Sequence, residues 1–376
     1  MPRVLHLIDA SDPQELRLAL APLLQRLNAN RWTQFVAPLS GGVSHFPFAS
    51  DFIVGRVPVR FGLHFLAAPA LRRLLHKHRI DLIHAWSLEA AYVATLASDR
   101  MTPMAVSRWD PHLVPAQAGR LLALAQRPHT GILCHAAMVE RRLVEHGVPI
   151  ERCGVVRPGV DFGLINRLKQ ETELREQLQL DDDHIVVLLP PSPCGRTGHW
   201  AGACAVETAA RLEPRLTLLL PRTSPEREPI LKYFRSVAQP PEYRVADDDF
   251  RLEQLLCVAD VLLVPAEGDI STTALTWAMA AGVPILGCAD YCITEFIADG
   301  QNGHLVKPNE PMLLAGKLLN VVRDRQTNAP LYDRSRAQAF ECFGLSRYIE
   351  QTQHAYENLL AGQPVSTDLT DAAITG

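Results

Sequence analysis

Apolar residues along this chain follow two alternating rhythms. Short runs such as Arg3–Ile8 (RVLHLI), Trp32–Pro38 (WTQFVAP), Asp81–Ala85 (DLIHA), Met104–Arg108 and Gly131–His135 (GILCH) have the length of strands buried on both faces. Between them leucines recur at helical spacing. Leu16, Leu20, Leu23, Leu24 and Leu27 predict a helix over Asp12–Leu27, entered through Ser11 or Asp12 as cap and Pro13 in the first turn. Leu71, Leu74 and Leu75, set against Arg72, Arg73, His76 and Lys77, predict a basic amphipathic helix over Leu66–His78. Further helices fall at Trp86–Ala97 and Ala136–His146, the latter stopped by Gly147. Strand and helix in strict alternation imply an α/β domain, a parallel sheet covered on both faces.

After Pro149, Pro158 and Gly159, which punctuate a short strand at Gly154–Arg157, comes a charged helix over Leu164–Leu178 and the acidic run Asp181–Asp183. The pattern then restarts at His184 with IVVLLPP, which predicts a domain boundary. The second series runs through helix Trp200–Arg211, strand Leu216–Pro221, helix Glu226–Val237, strand Glu242–Val245 and helix Leu252–Val258. It leads into strand Val261–Val264, a polar turn over Ala266–Thr272, a helix through Ala281, a second strand, and a short helix and turn. Ligands of such sheets bind where strands end and helices begin, so that turn is the first candidate site. Helices over Pro311–Arg325 and Asp333–Leu360 close the pattern. The reading gives a first domain over 1–160, a linker over 161–183, a second domain over 184–340, a closing helix over 341–360 and a small polar, disordered tail over 361–376.

Composition changes this picture little. With 376 residues, 47% hydrophobic and 21% charged, the chain is that of a globular protein of two domains. No stretch of eighteen apolar residues occurs and MPRVLHLIDA enters a strand directly, so a cytoplasmic protein is expected. The eight cysteines are scattered, with Cys288 and Cys292 the only close pair, and predict buried free thiols with no metal site. Charge does add something. Residues 1–160 hold 18 Lys+Arg and 11 Asp+Glu, leaving 19 and 30 of the chain's 37 and 41 for the rest. A basic first half suits an anionic partner, either a phosphate-bearing substrate or the inner face of a membrane, touched peripherally. No basic run with interleaved aromatics points to nucleic acid.

Four segments carry a resemblance to a known family: GVPIERCGVVRPGVDF, LLCVADVLLVPA, AMAAGVPILG with ITEFIADGQNGHLVKP, and FECFGLSRYIEQTQHAYENLL. They resemble the linker strand, the strand before the donor site, the stretch after it, and the closing helix that crosses back to the first domain in family 4 glycosyltransferases. That family has the GT-B fold, two Rossmann-like domains facing each other across a cleft. The resemblance implies a nucleotide-sugar donor on the second domain and an unknown glycan, lipid or small-molecule acceptor on the first. It implies retention at the transferred sugar, and neither metal nor cofactor. Helix N-termini and basic side chains would hold the diphosphate as charge builds on it.

The motif residues themselves are altered. Of the family's two glutamates eight positions apart, Asp269 stands at the first and Trp277, which cannot accept a hydrogen bond, at the second. Glu267 and Gly268 supply the pair only after a two-residue insertion. Asp269 or Ser271 would cap the helix, with free amides around Ser271, Thr272 and Thr273. In PPSPCGRTGHW the expected arginine and lysine are replaced by Ser192 and Thr197, leaving Arg196 as the substitute cation. Tyr291 and Cys292 replace paired glycines, and Glu295 keeps the acidic position. On the acceptor side the family's His and Asp align with Trp109 and Asp110, with His112 nearby, and the first loop offers Asp12. The candidate donor residues are therefore Arg196, Thr197, Asp269, Ser271, Thr272 and Glu295, and the acceptor-side candidates Asp12, Asp110 and His112. Two readings follow: a glycosyltransferase with an unusual donor site, or a non-catalytic GT-B binding or scaffolding protein.

Overall fold

The computed structural model describes all residues except 10–12, 29, 41–45, 60–62, 109–114, 171–172, 192–196, 248, 266–270, 291, 309 and 366–376. Its described residues form two units, Met1–Gly159 together with the segment from Leu345, and Val160–Gly344.

The first unit opens β1 (Arg3–Ile8), α1 (Pro13–Arg26), β2 (Thr33–Pro38), α2 (Ala68–His78), β3 (Leu82–Ala85) and α3 (Leu88–Ala97). It continues β4 (Met104–Arg108), α4 (Pro115–Ala125), β5 (Thr130–Cys134), α5 (Ala137–Glu145) and β6 (Cys153–Val155). These strands make one six-stranded sheet in the order β2-β1-β3-β4-β5-β6, every neighbouring pair parallel. The near-continuous apolar runs are explained by that arrangement, since a central parallel strand has no solvent face. Residues 4–8 and 82–85 are all buried.

The second unit begins with two short helices, α6 (Phe162–Leu168) and α7 (Glu173–Gln177), where the charge pattern predicts a single one. Asp161 caps α6, its carboxylate accepting the Leu164 N–H at 3.0 Å. Then follow β7 (Ile185–Leu188), α8 (His199–Ala210), β8 (Leu216–Pro221), α9 (Arg227–Ser236), β9 (Glu242–Ala246), α10 (Leu252–Val258) and β10 (Val261–Val264). Next come α11 (Thr272–Ala281), β11 (Ile285–Cys288), a 3₁₀ turn at Ile293–Glu295, β12 (His304–Val306), α12 (Pro311–Arg323) and α13 (Ala329–Phe343). Its sheet runs β12-β11-β10-β7-β8-β9, again wholly parallel. The third strand of that half, β12, lies where the sequence reading has only a turn. The AMAAGVPILG segment owes its two glycines to local geometry. Gly282 ends α11 in the left-handed region at φ 67°, and a Cβ on Gly287 would lie 2.2 Å from Ile293 Cδ1.

One long helix expected over Asp333–Leu360 is two. Gly344 takes an extended conformation, Phe343 accepts the Val160 N–H at 2.8 Å, and α14 (Leu345–Ala361) starts afresh. Helix α14 belongs to the first unit and buries Leu345, Tyr348, Tyr356 and Leu359 in the cluster formed by Leu20, Leu23, Trp32 and Val36. Beyond it, Val365 is 1% exposed and donates its N–H to Glu151 O at 3.1 Å, so the start of the expected tail is packed.

Candidate functional site

In the second unit, strand order reverses between β7 and β10, where Val261 pairs with Val187 and Leu262 with Leu188. At such a switch point the loops from neighbouring strands diverge to opposite faces and leave a crevice at the carboxyl edge. Two helices open onto that edge, α8 after β7 and α11 after β10. Of the donor-side candidates, Thr197, Ser271 and Thr272 stand at these two helix starts. Arg196 and Asp269 lie outside the described residues, as do Glu267, Gly268 and Ser192.

Helix α8 starts at Gly198, left-handed at φ 62°, with no side chain of its own capping it. A distant carboxylate takes over that role. Glu226, from the loop after β8, accepts the Trp200 N–H at 2.9 Å and the Thr197 hydroxyl at 3.0 Å through the same oxygen. His199 ties the remaining loop in place, one ring nitrogen 3.1 Å from Pro190 O and the other 2.7 Å from Ser224 Oγ. A carbonyl only accepts, so Nε2 carries the proton and Nδ1 accepts from Ser224. Burial pushes the His199 imidazole down to about 4, against the opposing pull of Glu226 and the Pro190 carbonyl, and it is neutral at pH 7.

Thr197 is 2% exposed and its hydroxyl is committed to Glu226. The helix terminus that would attract an anion thus already holds one from the chain itself. Replacing Glu226 by Ala should cost the second unit about 1–2 kcal/mol, the range for losing a helix cap, measurable by denaturant unfolding. A Glu226→Gln protein, which keeps an acceptor oxygen, should recover most of that loss.

At α11 the cap is Ser271, whose Oγ accepts the Ala274 N–H at 3.1 Å. The amides of Thr272 and Thr273 precede the first intrahelical bond and form the helix's donor end. The side chain of Trp277, at the second carboxylate position, is 2% exposed. Its indole nitrogen and, one turn earlier, Thr273 Oγ1 are buried with no hydrogen-bond partner among the described residues. Glu295 is half-buried on the 3₁₀ turn after β11, which Asp290 organises by accepting the N–H groups of Cys292 at 2.8 Å and Ile293 at 3.0 Å. Cys292 is buried, 3% exposed; Tyr291 lies outside the described residues. The described cysteines are free thiols.

In the first unit the strand order reverses between β1 and β3. The acceptor-side candidates Asp12, Asp110 and His112 all lie outside the described residues, with Trp109. What the described residues bring to that edge is Asp9, which accepts a hydrogen bond from Ser87, the cap of α3. His84 and Trp86 are buried in the core. Their rings stack at 4.2 Å, and His84 is bonded to Tyr356 OH at 2.6 Å and Ser107 Oγ at 2.8 Å. His6 completes this buried polar layer: Trp86 Nε1–H donates to His6 Nδ1 at 3.1 Å, and Gln34 Oε1 lies 3.2 Å from His6 Nε2. Glu226, Ser224 and His6 were missed in the sequence because their partners are brought to them by the sheet and not by spacing. The one sequence signal was a titratable residue inside or beside an apolar run.

Comparison with known proteins agrees with this fold. Residues 245–338, from the end of β9 through most of α13, match the family described as glycosyl transferases group 1. N-acetyl-alpha-D-glucosaminyl L-malate synthase of Bacillus anthracis is 26% identical over 107 residues, a match spanning 28% of each protein. Among solved structures, Anabaena HepE, captured with UDP and glucose, superposes with a TM-score of 0.79 at 17% identity, over 95% of this chain and 100% of that one. Sucrose-phosphate synthase from Thermosynechococcus elongatus follows at 0.72 and 14% identity, over 96% and 100%. No helix among the described residues is long and apolar enough to cross a membrane. The chain has the GT-B fold, and its residues 245–338 match the family described as glycosyl transferases group 1.

Proposed function

We propose that the protein is a hexosyltransferase-type glycosyltransferase that moves a sugar from a nucleotide-sugar donor to an acceptor with retention. The observation that carries this reading is the β7/β10 switch point, bracketed by the starts of α8 and α11, inside a unit whose second half matches the family. The donor lies at that edge, its diphosphate held by the amides of Thr272 and Thr273 at the start of α11 and by Arg196, with Thr197, Asp269, Ser271 and Glu295 around it. A positive helix end and a guanidinium placed there stabilise charge on the leaving nucleoside diphosphate where it develops. The acceptor side uses Asp12, Asp110 and His112. HepE, with UDP and glucose bound, supports a uridine nucleotide as the first donor to try.

Two observations favour a second reading, a GT-B protein that binds or scaffolds without catalysis. Glu226 sits on the α8 terminus as an internal anion, and Trp277 supplies no acceptor at the position where the resemblance places a carboxylate.

Thermal shift with UDP, GDP, ADP and their sugars separates the two. Ligand at a hundred times its dissociation constant should add about 2.7 kcal/mol of stability, and Arg196→Ala should abolish the shift. Trp277→Phe removes a buried N–H that has no partner among the described residues but leaves a smaller ring, so relief of the unsatisfied donor should offset the cost of the cavity and the change in stability should be small. No shift with any nucleotide at millimolar concentration would sink the donor site and leave the scaffolding reading.

A further inference from the structure

Between Asp51 and Asp81 the sequence contains no acidic residue, but six arginines and lysines: Arg56, Arg60, Arg72, Arg73, Lys77 and Arg79. In the middle of this span the structure leaves large apolar side chains uncovered. Leu63 is 43% exposed, Phe65 59% and Leu66 50%, the last two on a 3₁₀ turn that buries none of its residues and runs through Ala67 into α2. Helix α2 packs Ala68 and Leu71 inward and turns Arg72, Arg73, His76 and Lys77 outward. Positions 65, 69, 72, 73, 76 and 77 share one helical face, so the exposed apolar end passes directly into an exposed cationic strip.

This edge is held rigidly. Arg72 donates to the carbonyls of Ala97 at 3.2 Å and Leu96 at 3.1 Å, tying α2 to the end of α3. His64 lies edge-on to Tyr92 at 5.8 Å, itself 43% exposed and covered by the Arg120 guanidinium 5.9 Å from its ring centroid. A surface of this kind needs no folding on contact.

We propose that Leu63, Phe65, Leu66 and the outward face of α2 form a docking surface for an anionic lipid bilayer. The combination selects that partner. The apolar tips enter the boundary between headgroups and acyl chains, while the Arg73 guanidinium and the Lys77 ammonium, on flexible stems, stay level with lipid phosphates. A nucleic acid backbone would engage the cations and leave both leucines in water. The inference goes beyond the sugar-transfer reading and does not rest on it, because it concerns where the first unit sits and not what the second unit binds.

Flotation of the full-length protein with phosphatidylcholine vesicles, with and without phosphatidylglycerol, tests it. Binding is expected to the anionic vesicles only and to weaken as salt is raised. The double variants Phe65→Ser with Leu66→Ser, and Arg73→Glu with Lys77→Glu, should each lower partitioning by about tenfold or more. Leu212→Ser in the second unit, replacing a side chain 67% exposed, should change nothing. Circular dichroism melts confirm that each variant is folded, as expected for substitutions on exposed positions. Equal binding to neutral vesicles, binding that survives both double variants, or binding to a duplex oligonucleotide but not to vesicles would overturn the proposal.

Discussion

Below about pH 6.5 the first unit should lose stability at up to about 4 kcal/mol per pH unit, and acid should unfold it before pH 4. Three buried imidazoles set that slope. Burial pushes His6 down to about 4 and His135 to about 3, and holds His84 well below its ordinary value, with His6 and His135 as neighbouring charges adding to the effect. In the unfolded chain all three return to about 6.5 and bind protons the native state refuses. The unfolded state thus carries more protons in this window, and stability is present above the unfolded value and lost as pH falls toward the folded ones. For His6 the geometry shows why. Its Nδ1 already accepts the Trp86 indole N–H, so a second ring proton would face a donor. Each imidazole contributes about 1.4 kcal/mol per pH unit across the window. Denaturant unfolding followed by tryptophan fluorescence from pH 8 to 5 reads the slope, and His6→Gln should reduce it by one proton. A midpoint that does not move between pH 7 and 5 would mean that the native core accepts the charged rings.

Tyr356 should be the costliest single side chain to remove from the first unit. It is fully buried on α14, 5.6 Å edge-on to Trp32, and hydrogen-bonded to His84 at 2.6 Å. Tyr356→Phe keeps the ring but strands one nitrogen of His84, a loss of about 1–3 kcal/mol. Tyr356→Ala also opens a cavity and should cost about 3–5 kcal/mol, much of the stability a domain of this size has. Tyr348, whose hydroxyl donates to Ala19 O at 3.0 Å, makes the same helix anchor at its other end. A chain ending at Gly344 should consequently fail to give a folded first unit. Urea unfolding of the two Tyr356 variants, read by Trp32 emission, checks the ordering; an alanine variant within about 1 kcal/mol of the parent would show that α14 is not holding this core.

Much of the architecture was legible before the structure. Strands Arg3–Ile8, Met104–Arg108, Leu216–Pro221 and Val261–Val264 and helix Leu252–Val258 fall on the residues the pattern predicts. Parallel strands buried on both faces and helices with one apolar stripe write their own period into the chain, and that signal is local. The misread places have nonlocal causes. The predicted helix across residue 344 is cut because Val160 donates its N–H to Phe343 O and pairs with Gly344 in an isolated bridge. Strand β12 is only three residues long and is recognisable as a strand because it completes the sheet beside β11.

The site divides in the same way. Sequence by itself determined which residue types stand at the two helix starts: Ser271 and Thr272 after β10, Thr197 and Gly198 after β7, and an indole at position 277. It also determined the uneven charge between the halves and the acid-free span around α2. Only tertiary structure decided what those groups do. Glu226 reaches the start of α8 from 26 residues away and takes the Trp200 amide and the Thr197 hydroxyl. Tyr356 meets His84 across 272 residues. The indole of Trp277 turns out to be buried, its donor without a partner among the described residues. A helix cap, a buried hydrogen bond and an unsatisfied donor are each defined by distances of about 3 Å between groups that chain order does not place together, so the fold had to bring them into contact before their chemistry could be read.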